Sequence, residues 1–182
     1  MKIFVIGTSG SGKSTLACEL AQKLGFHHIE LDGLLWEANW QKRSVEEFNK
    51  FLSQELAKNS NAIIDGNFTR EEITPSGHDH IVWLDYDRWF ITLRILRRSI
   101  KRVTFRTKLW AGNRERLSFL ISTNPELNPV LWSFKTHSRR REFYSQLISN
   151  LDSTIKVHHF GSQRELTEHK GELIRELRSA ST

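Results

Sequence analysis

The feature that most limits what this chain can fold into is the octapeptide Gly7-Thr8-Ser9-Gly10-Ser11-Gly12-Lys13-Ser14. It fits the pattern G-x-x-x-x-G-K-[ST] without a mismatch. Before it, residues 2–6 (KIFVI) form a short apolar, β-branched run that reads as a buried strand. After it, Leu16, Leu20 and Leu24 fall on one face of a helix over residues 15–24. Strand, glycine loop and helix follow in the order that a phosphate-cradling loop requires. The three glycines permit backbone angles and close approaches that a β-carbon would obstruct, so successive N–H groups can turn inward around a phosphate. The following helix adds its unpaired N–H groups and the positive end of its dipole. The motif therefore predicts nucleoside triphosphate binding by residues 7–15, Thr15 included, with Lys13 reaching the β- and γ-phosphates and Ser14 ligating Mg²⁺.

The rest of the chain repeats the alternation. Residues 26–31 (FHHIEL), 61–65 (NAIID), 81–85 (IVWLD) and 154–160 (TIKVHHF) read as four further strands. Between them lie helical patterns with legible starts. Ser44-x-x-Glu47 and Ser162-x-x-Glu165 are capping boxes, Asp87 caps a long helix, and Asn128-Pro129 places a cap before a proline in the first turn. The first of these helices is expected to turn Val45, Phe48, Leu52 and Leu56 inward. On the long helix Trp89, Leu93, Leu96, Ile100 and Val103 recur at steps of four and three and read as its packing face, while Arg94, Arg98 and Arg102 form a cationic row on another face. Residues 107–127 show weak periodicity and several turn formers, and are expected to be a mobile segment. The order predicts an α/β fold, a five-stranded parallel sheet flanked by helices, built as one domain over residues 1–182.

Composition narrows the partners. Lys and Arg total 27 against 21 Asp and Glu, a net charge of +6 that favours anionic ligands. The excess is concentrated over residues 88–116, where a single Glu stands among the basic residues. No run is long enough to span a membrane, and the apolar start leads directly into the glycine loop, so neither a membrane span nor a secretory signal is expected. The single cysteine, Cys18, is read as a small buried residue in a reducing compartment, and the expected location is cytoplasmic. The eight histidines show no metal-ligand spacing, and His27-His28 and His158-His159 are read as structural.

Ligands of an open parallel sheet sit beyond the carboxyl ends of the strands. Asp65, at the end of an apolar strand and before Gly66, is the candidate for the carboxylate that positions Mg²⁺. Asp32 is the candidate to bind or deprotonate an acceptor hydroxyl, with an Asp-Gly turn as the alternative. Asp85 reads as a turn residue outside the site. Arg94, Arg98 and Arg102 are candidates to neutralise a moving phosphoryl group, and one of Arg139, Arg140 and Arg141 is a further candidate. Trp36 and Trp40 are candidates for stacking an aromatic acceptor or for packing beneath a lid.

With these residues collected, the chain resembles the small adenylate kinase-like P-loop kinases, and within them the bacterial DNA topology modulation proteins. The resemblance is carried by GTSGSGKST at 7–15, LDGLLWEANW at 31–40, IIDGNFTR at 63–70 and VWLDYDRWFITLRILRR at 82–98. It implies a P-loop NTPase fold with ATP in the loop, an acceptor-binding helical region over 33–60 that includes Asn67 and Arg70 in its reach, and an arginine-bearing lid over about 98–127. It also implies that the turn at Gly161 and Ser162 packs near the adenine. The chain departs from true adenylate kinases in having Asn67-Phe68-Thr69-Arg70 after Asp65-Gly66, and in having the tryptophan segment where an AMP-binding stretch would stand, so AMP is not the expected acceptor. Two functions remain open from the sequence. One is transfer of the ATP γ-phosphate to a small acceptor, a nucleotide or nucleoside among them. The other is a nucleic-acid-associated ATPase or regulator affecting DNA topology, with the basic segment on phosphate backbones.

Overall fold

The first strand, β1 (Lys2–Gly7), is buried along almost its whole length because it runs through the centre of the sheet with a neighbour on each side. In the computed structural model, which describes residues 1–66 and 79–181, β1 pairs in parallel with β3 (Ala62–Asp65) and β4 (His80–Leu84). The outer positions belong to β2 (His27–Glu30) and β5 (Lys156–Phe160), giving the order β2-β3-β1-β4-β5 with every pairing parallel. The expected five-stranded α/β sheet is therefore present.

Side chains alternate across the sheet, so β1 feeds two cores. Ile3 and Val5 point into one with Leu16 and Leu20 of α1 (Lys13–Leu24), Ile91 and Ile95 of α4 (Arg88–Thr104), and Leu166, Leu173 and Leu177 of α7 (Gln163–Ala180). Phe4 and Ile6 point into the other with Phe48 and Leu52 of α3 (Val45–Lys58) and Tyr144 of α6 (Pro129–Ser149). The capping predictions match: Ser44, Asp87, Asn128 and Ser162 each accept hydrogen bonds from first-turn backbone N–H groups. Val45, the first residue of α3, is not on its inner face but 46% exposed.

Three further expectations, on the end of β2, the buried face of α4 and the burial of Cys18, are corrected. β2 stops at Glu30, and Asp32 lies in the first turn of a short helix, α2 (Leu31–Leu35). The buried face of α4 is Ile91, Ile95 and Ser99, while Trp89, Leu93, Leu96 and Ile100 are exposed. Both sets satisfy a helical period, and the sheet took the narrower one. Residues 107–127 hold a 3₁₀ turn at Trp110–Gly112 and a short helix, α5 (Leu117–Ile121), tied by hydrogen bonds to the rest of the fold. Cys18 is exposed, on the solvent side of α1.

Candidate active site

The loop between β1 and α1 is the centre of the site. Gly7 has φ +147°, and a Cβ there would lie 2.5 Å from the carbonyl oxygen of Leu84 on the neighbouring strand, so only glycine lets β1 turn at that height. The loop then delivers Lys13 and Ser14 at the start of α1, with Ser14 and Thr15 exposed and Lys13 buried. The Lys13 ammonium donates to the Thr8 carbonyl at 3.0 Å. Burial pushes its pKa down to about 8, a fall that Asp32 and Asp65 partly offset and Arg140 and Arg98 reinforce. Five charged side chains from four elements and the P-loop thus share one electrostatic neighbourhood.

Asp65 closes β3 and is 1% exposed; its Oδ1 is hydrogen-bonded at 2.9 Å to Nε2 of His28 on β2. That contact raises the pKa of His28, chiefly through the hydrogen bond. His28 therefore holds a site carboxylate in place, a role its position in a strand did not disclose. Asp32, one turn into α2, has its pKa raised, first by burial and also by Asp65, against the lowering effect of Lys13. A carboxylate held partly desolvated beside an ammonium has the character needed to accept a proton from a hydroxyl. The oxygen donors at Ser14 and Asp65 are hard ligands, and they fit a Mg²⁺ ion whose other ligands are water and phosphate oxygens.

The arginines divide. Arg94 reaches the loop: its guanidinium donates to the Ser11 carbonyl at 3.4 Å and to Gln163 Oε1 at 2.9 Å, with Phe90 under it. Arg98 lies deeper, and its pKa is pushed down to about 10 by burial and by neighbouring Arg102, against Glu115 and Asp32. Arg102 is held by Glu115 at 2.7 Å, a partner thirteen residues on that an i+4 search does not find. From α6, Arg140 comes within electrostatic reach of Lys13 and Asp32. It shares the face of Ser133, His137 and Tyr144, all buried on α6, at steps of four, three and four, a face whose mostly polar spelling hides it in the sequence. Its neighbour Arg141 instead joins His159 on the buried carboxylate of Asp85, at 2.9 and 3.2 Å, tying α6 to the end of β5.

The tryptophans mark a junction. The Trp40 backbone N–H donates to Asn113 Oδ1, its indole N–H donates to the Arg114 carbonyl, and Asn113 donates in turn to the Glu37 carbonyl at 2.7 Å. Trp110 donates to Glu30 Oε2 at 2.8 Å, and Trp36 meets Trp40 edge-on. The turn over 109–115 is thus hooked onto the region after β2, and Trp40 serves as part of that hook. Gly161 and Ser162 form the cap of α7, with the Gly161 N–H donating to Glu165 Oε2, beside the Arg94–Gln163 contact. Ser9 receives a hydrogen bond on its carbonyl from Ser133. Asn67 and Arg70 lie outside the described residues.

Around the loop, several buried polar atoms have no hydrogen-bond partner: Thr8 Oγ1, Ser11 Oγ, Arg98 Nε and Arg140 Nη1. Buried groups of this kind are normally satisfied. All four belong to the loop or to arginines of α4 and α6 that lie within electrostatic reach of Lys13.

Known proteins resemble the chain over part of its sequence and across its fold. The model of the ATPase family associated with various cellular activities (AAA) matches residues 3–84. The chain is similar to "Uncharacterized protein YqaC" of Bacillus subtilis (strain 168), 34% identical over 65 residues, 35% of this chain and 36% of that protein. It is also similar to "Probable gluconokinase" of Schizosaccharomyces pombe, 52% identical over 40 residues, 22% of this chain and 21% of that protein. These matches span about a third and a fifth of the two relatives. Among solved structures, shikimate kinase from Bacteroides thetaiotaomicron superposes with a TM-score of 0.55 at 15% identity, covering 97% of this chain and 98% of that one. Deoxyadenosine kinase from M. mycoides with bound dATP superposes with a TM-score of 0.57 at 16% identity, covering 97% and 99%. The chain has the P-loop NTPase fold.

Proposed function

We propose that the protein is an ATP-dependent kinase that moves the γ-phosphoryl group of ATP to a hydroxyl of a small acceptor. The observation that carries this reading is the convergence of Lys13, Arg98 and Arg140 with Asp32 at the phosphate loop, together with the partnerless buried polar atoms there. A structural comparison with kinases acting on shikimate and deoxyadenosine, and a short sequence match to a gluconokinase, support the same class.

The chain's own groups suffice to assign the steps. The loop N–H groups and Lys13 hold the phosphates, and Arg94 closes the loop from α4. Asp32 orients the acceptor hydroxyl and takes its proton as the oxygen forms a bond to the γ-phosphorus. The bond from that phosphorus to the β–γ bridging oxygen breaks, and ADP departs with the charge neutralised by Lys13, Arg98 and Arg140. Mg²⁺ at Ser14 and Asp65 would supply further neutralisation of the phosphate oxygens. The turn hooked to Trp40 stands between the acceptor region and the arginine helix, where it would limit access of water.

The test is ADP release from ATP and Mg²⁺ in the presence of D-gluconate, shikimate, deoxyadenosine or AMP, with the product identified by mass. A phosphorylated acceptor, lost in Lys13→Ala, is the expected result. Stimulation by supercoiled DNA and by none of the hydroxylated compounds would refute it.

A further inference from the structure

We propose that the protein pairs with a second copy of itself through the outer face of α4. That face carries Trp89 (65% exposed), Leu93 (53%), Leu96 (39%) and Ile100 (50%); Phe134 of α6 lies against one side of the Trp89 ring, 5.1 Å between centroids, and leaves most of the face open. α5, packed beside α4, adds Leu117 and Ile121, 62% and 75% exposed. With a large aromatic side chain offering 150–250 Å², these six present on the order of 600 Å² of apolar surface. That is most of the roughly 800 Å² one partner contributes to a standard interface. It also stands at the top of the roughly 300–600 Å² that the largest apolar patch of a monomer spans, a patch that is often functional.

The spacing identifies the occupant as a helix, and as this one. Steps of four, three and four make a narrow seam of the kind that packs against another helix. The seam is also palindromic about the midpoint between Arg94 and Ile95. A two-fold, antiparallel pairing therefore sets Trp89 against Ile100 of the second copy and Leu93 against its Leu96. Isologous contacts require this self-complementarity. The seam contains no charge, and the nearest basic side chain, Arg97, comes beside Phe90 of the second copy, a 40%-exposed ring able to receive a cation on its face. Arg94 and Arg98 project from α4 on the side facing the phosphate loop, so pairing leaves both in the site.

Sedimentation equilibrium of the full chain at about 50 and about 500 mM NaCl tests this, because an apolar seam survives salt whereas attachment to polyanions does not. The expected result is a dimer at both salts, with the dissociation constant raised at least about 100-fold in Leu93→Glu, as for a central interface residue. Retained far-ultraviolet dichroism and ATP binding in that variant would show that the fold is intact. Register is read from Trp89→Cys, Ile100→Cys in a Cys18→Ser background, treated with a short bis-maleimide: covalent dimers should form, and Val45→Cys on α3 in the same background should give none. A monomer at all concentrations, equal cross-linking by the α3 variant, or a seam that binds only anionic vesicles or DNA would overturn the proposal.

Discussion

Lys13 is placed where its charge opposes folding when no nucleotide is bound. Its pKa falls from 10.5 to about 8, chiefly through burial. At about 1.4 kcal/mol per tenfold change in proton affinity, this is a cost on the order of 3 kcal/mol. The sign follows from linkage. Below pH 8 the group is charged in both the folded and unfolded chains, so the whole cost is present. Between pH 8 and 10.5 the folded chain sheds the proton while the unfolded chain keeps it, and stability recovers. Lys13→Met keeps the bulk without the charge. At pH 7 and without nucleotide it should be more stable than the natural chain by about 1–3 kcal/mol, a few degrees in Tm for a chain of this size. The attraction to Asp32 and Asp65 is already contained in that net fall, and the lower bound allows for loss of the hydrogen bond to the Thr8 carbonyl. The advantage should shrink as pH rises through 8 to 10. Mg²⁺–ATP should stabilise the natural chain and leave the variant unmoved. Thermal melts at pH 7 and 9.5, with and without nucleotide, decide it. A Lys13→Met chain that melts below the natural one at pH 7 would refute the reasoning, because Lys13 would then hold the loop together.

Asp32→Asn should lower kcat by about 10²–10⁴-fold while the KM for ATP changes little, the signature of a lost general base; a parallel rise in the ATP KM would make Asp32 a loop residue instead. The stacked pair His80 and His158, with rings 5.4 Å apart, has both pKa values lowered, first by burial. Its contribution is therefore present above the ordinary histidine pKa of about 6.5 and lost as pH falls below it. Urea melts at pH 7.5 and 5.5 should show a drop in stability that His158→Gln reduces, and an unchanged drop would exclude the pair as its source. Gly10→Ala places a Cβ 2.5 Å from Ile95 Cγ1 at φ +87°, so the Ile95 side chain or α4 itself must shift. The expected loss is about 2–4 kcal/mol by denaturant melts, combining strain and overpacking, and a loss below about 0.5 kcal/mol would mean that α4 is not seated on the loop as described.

What the sequence disclosed was local in origin. The loop, the caps at Ser44, Asp87, Asn128 and Ser162, and the strand alternation each depend on residues within a few positions of one another, and each is where the spelling places it. What it concealed depends on distant partners. His28 reads as a strand histidine until β3 brings Asp65 beside it. Glu115 meets Arg102, and Asn113 meets Trp40, only once a weakly patterned segment folds back over the region after β2. Arg140 is hidden among three consecutive arginines, although only one of the three has the phase of the buried face.

The packing face of α4 is hidden in the sequence for a different reason. A period of 3.6 cannot rank two apolar faces on one helix. Ile91 and Ile95 are few but β-branched and compact, and they fit against Val82, Leu84 and Tyr86 directly beneath the phosphate loop. The outer set contains Trp89 and three other large side chains, so it carries the stronger periodic signal while lying in solvent. The two sets are separated by Arg94 and Arg98, which must reach the loop, so a wide continuous stripe could not have served. A helix wedged between the core and an arginine-lined site has one direction left in which to bury Trp89, Leu93, Leu96 and Ile100, and that direction leads away from the described residues.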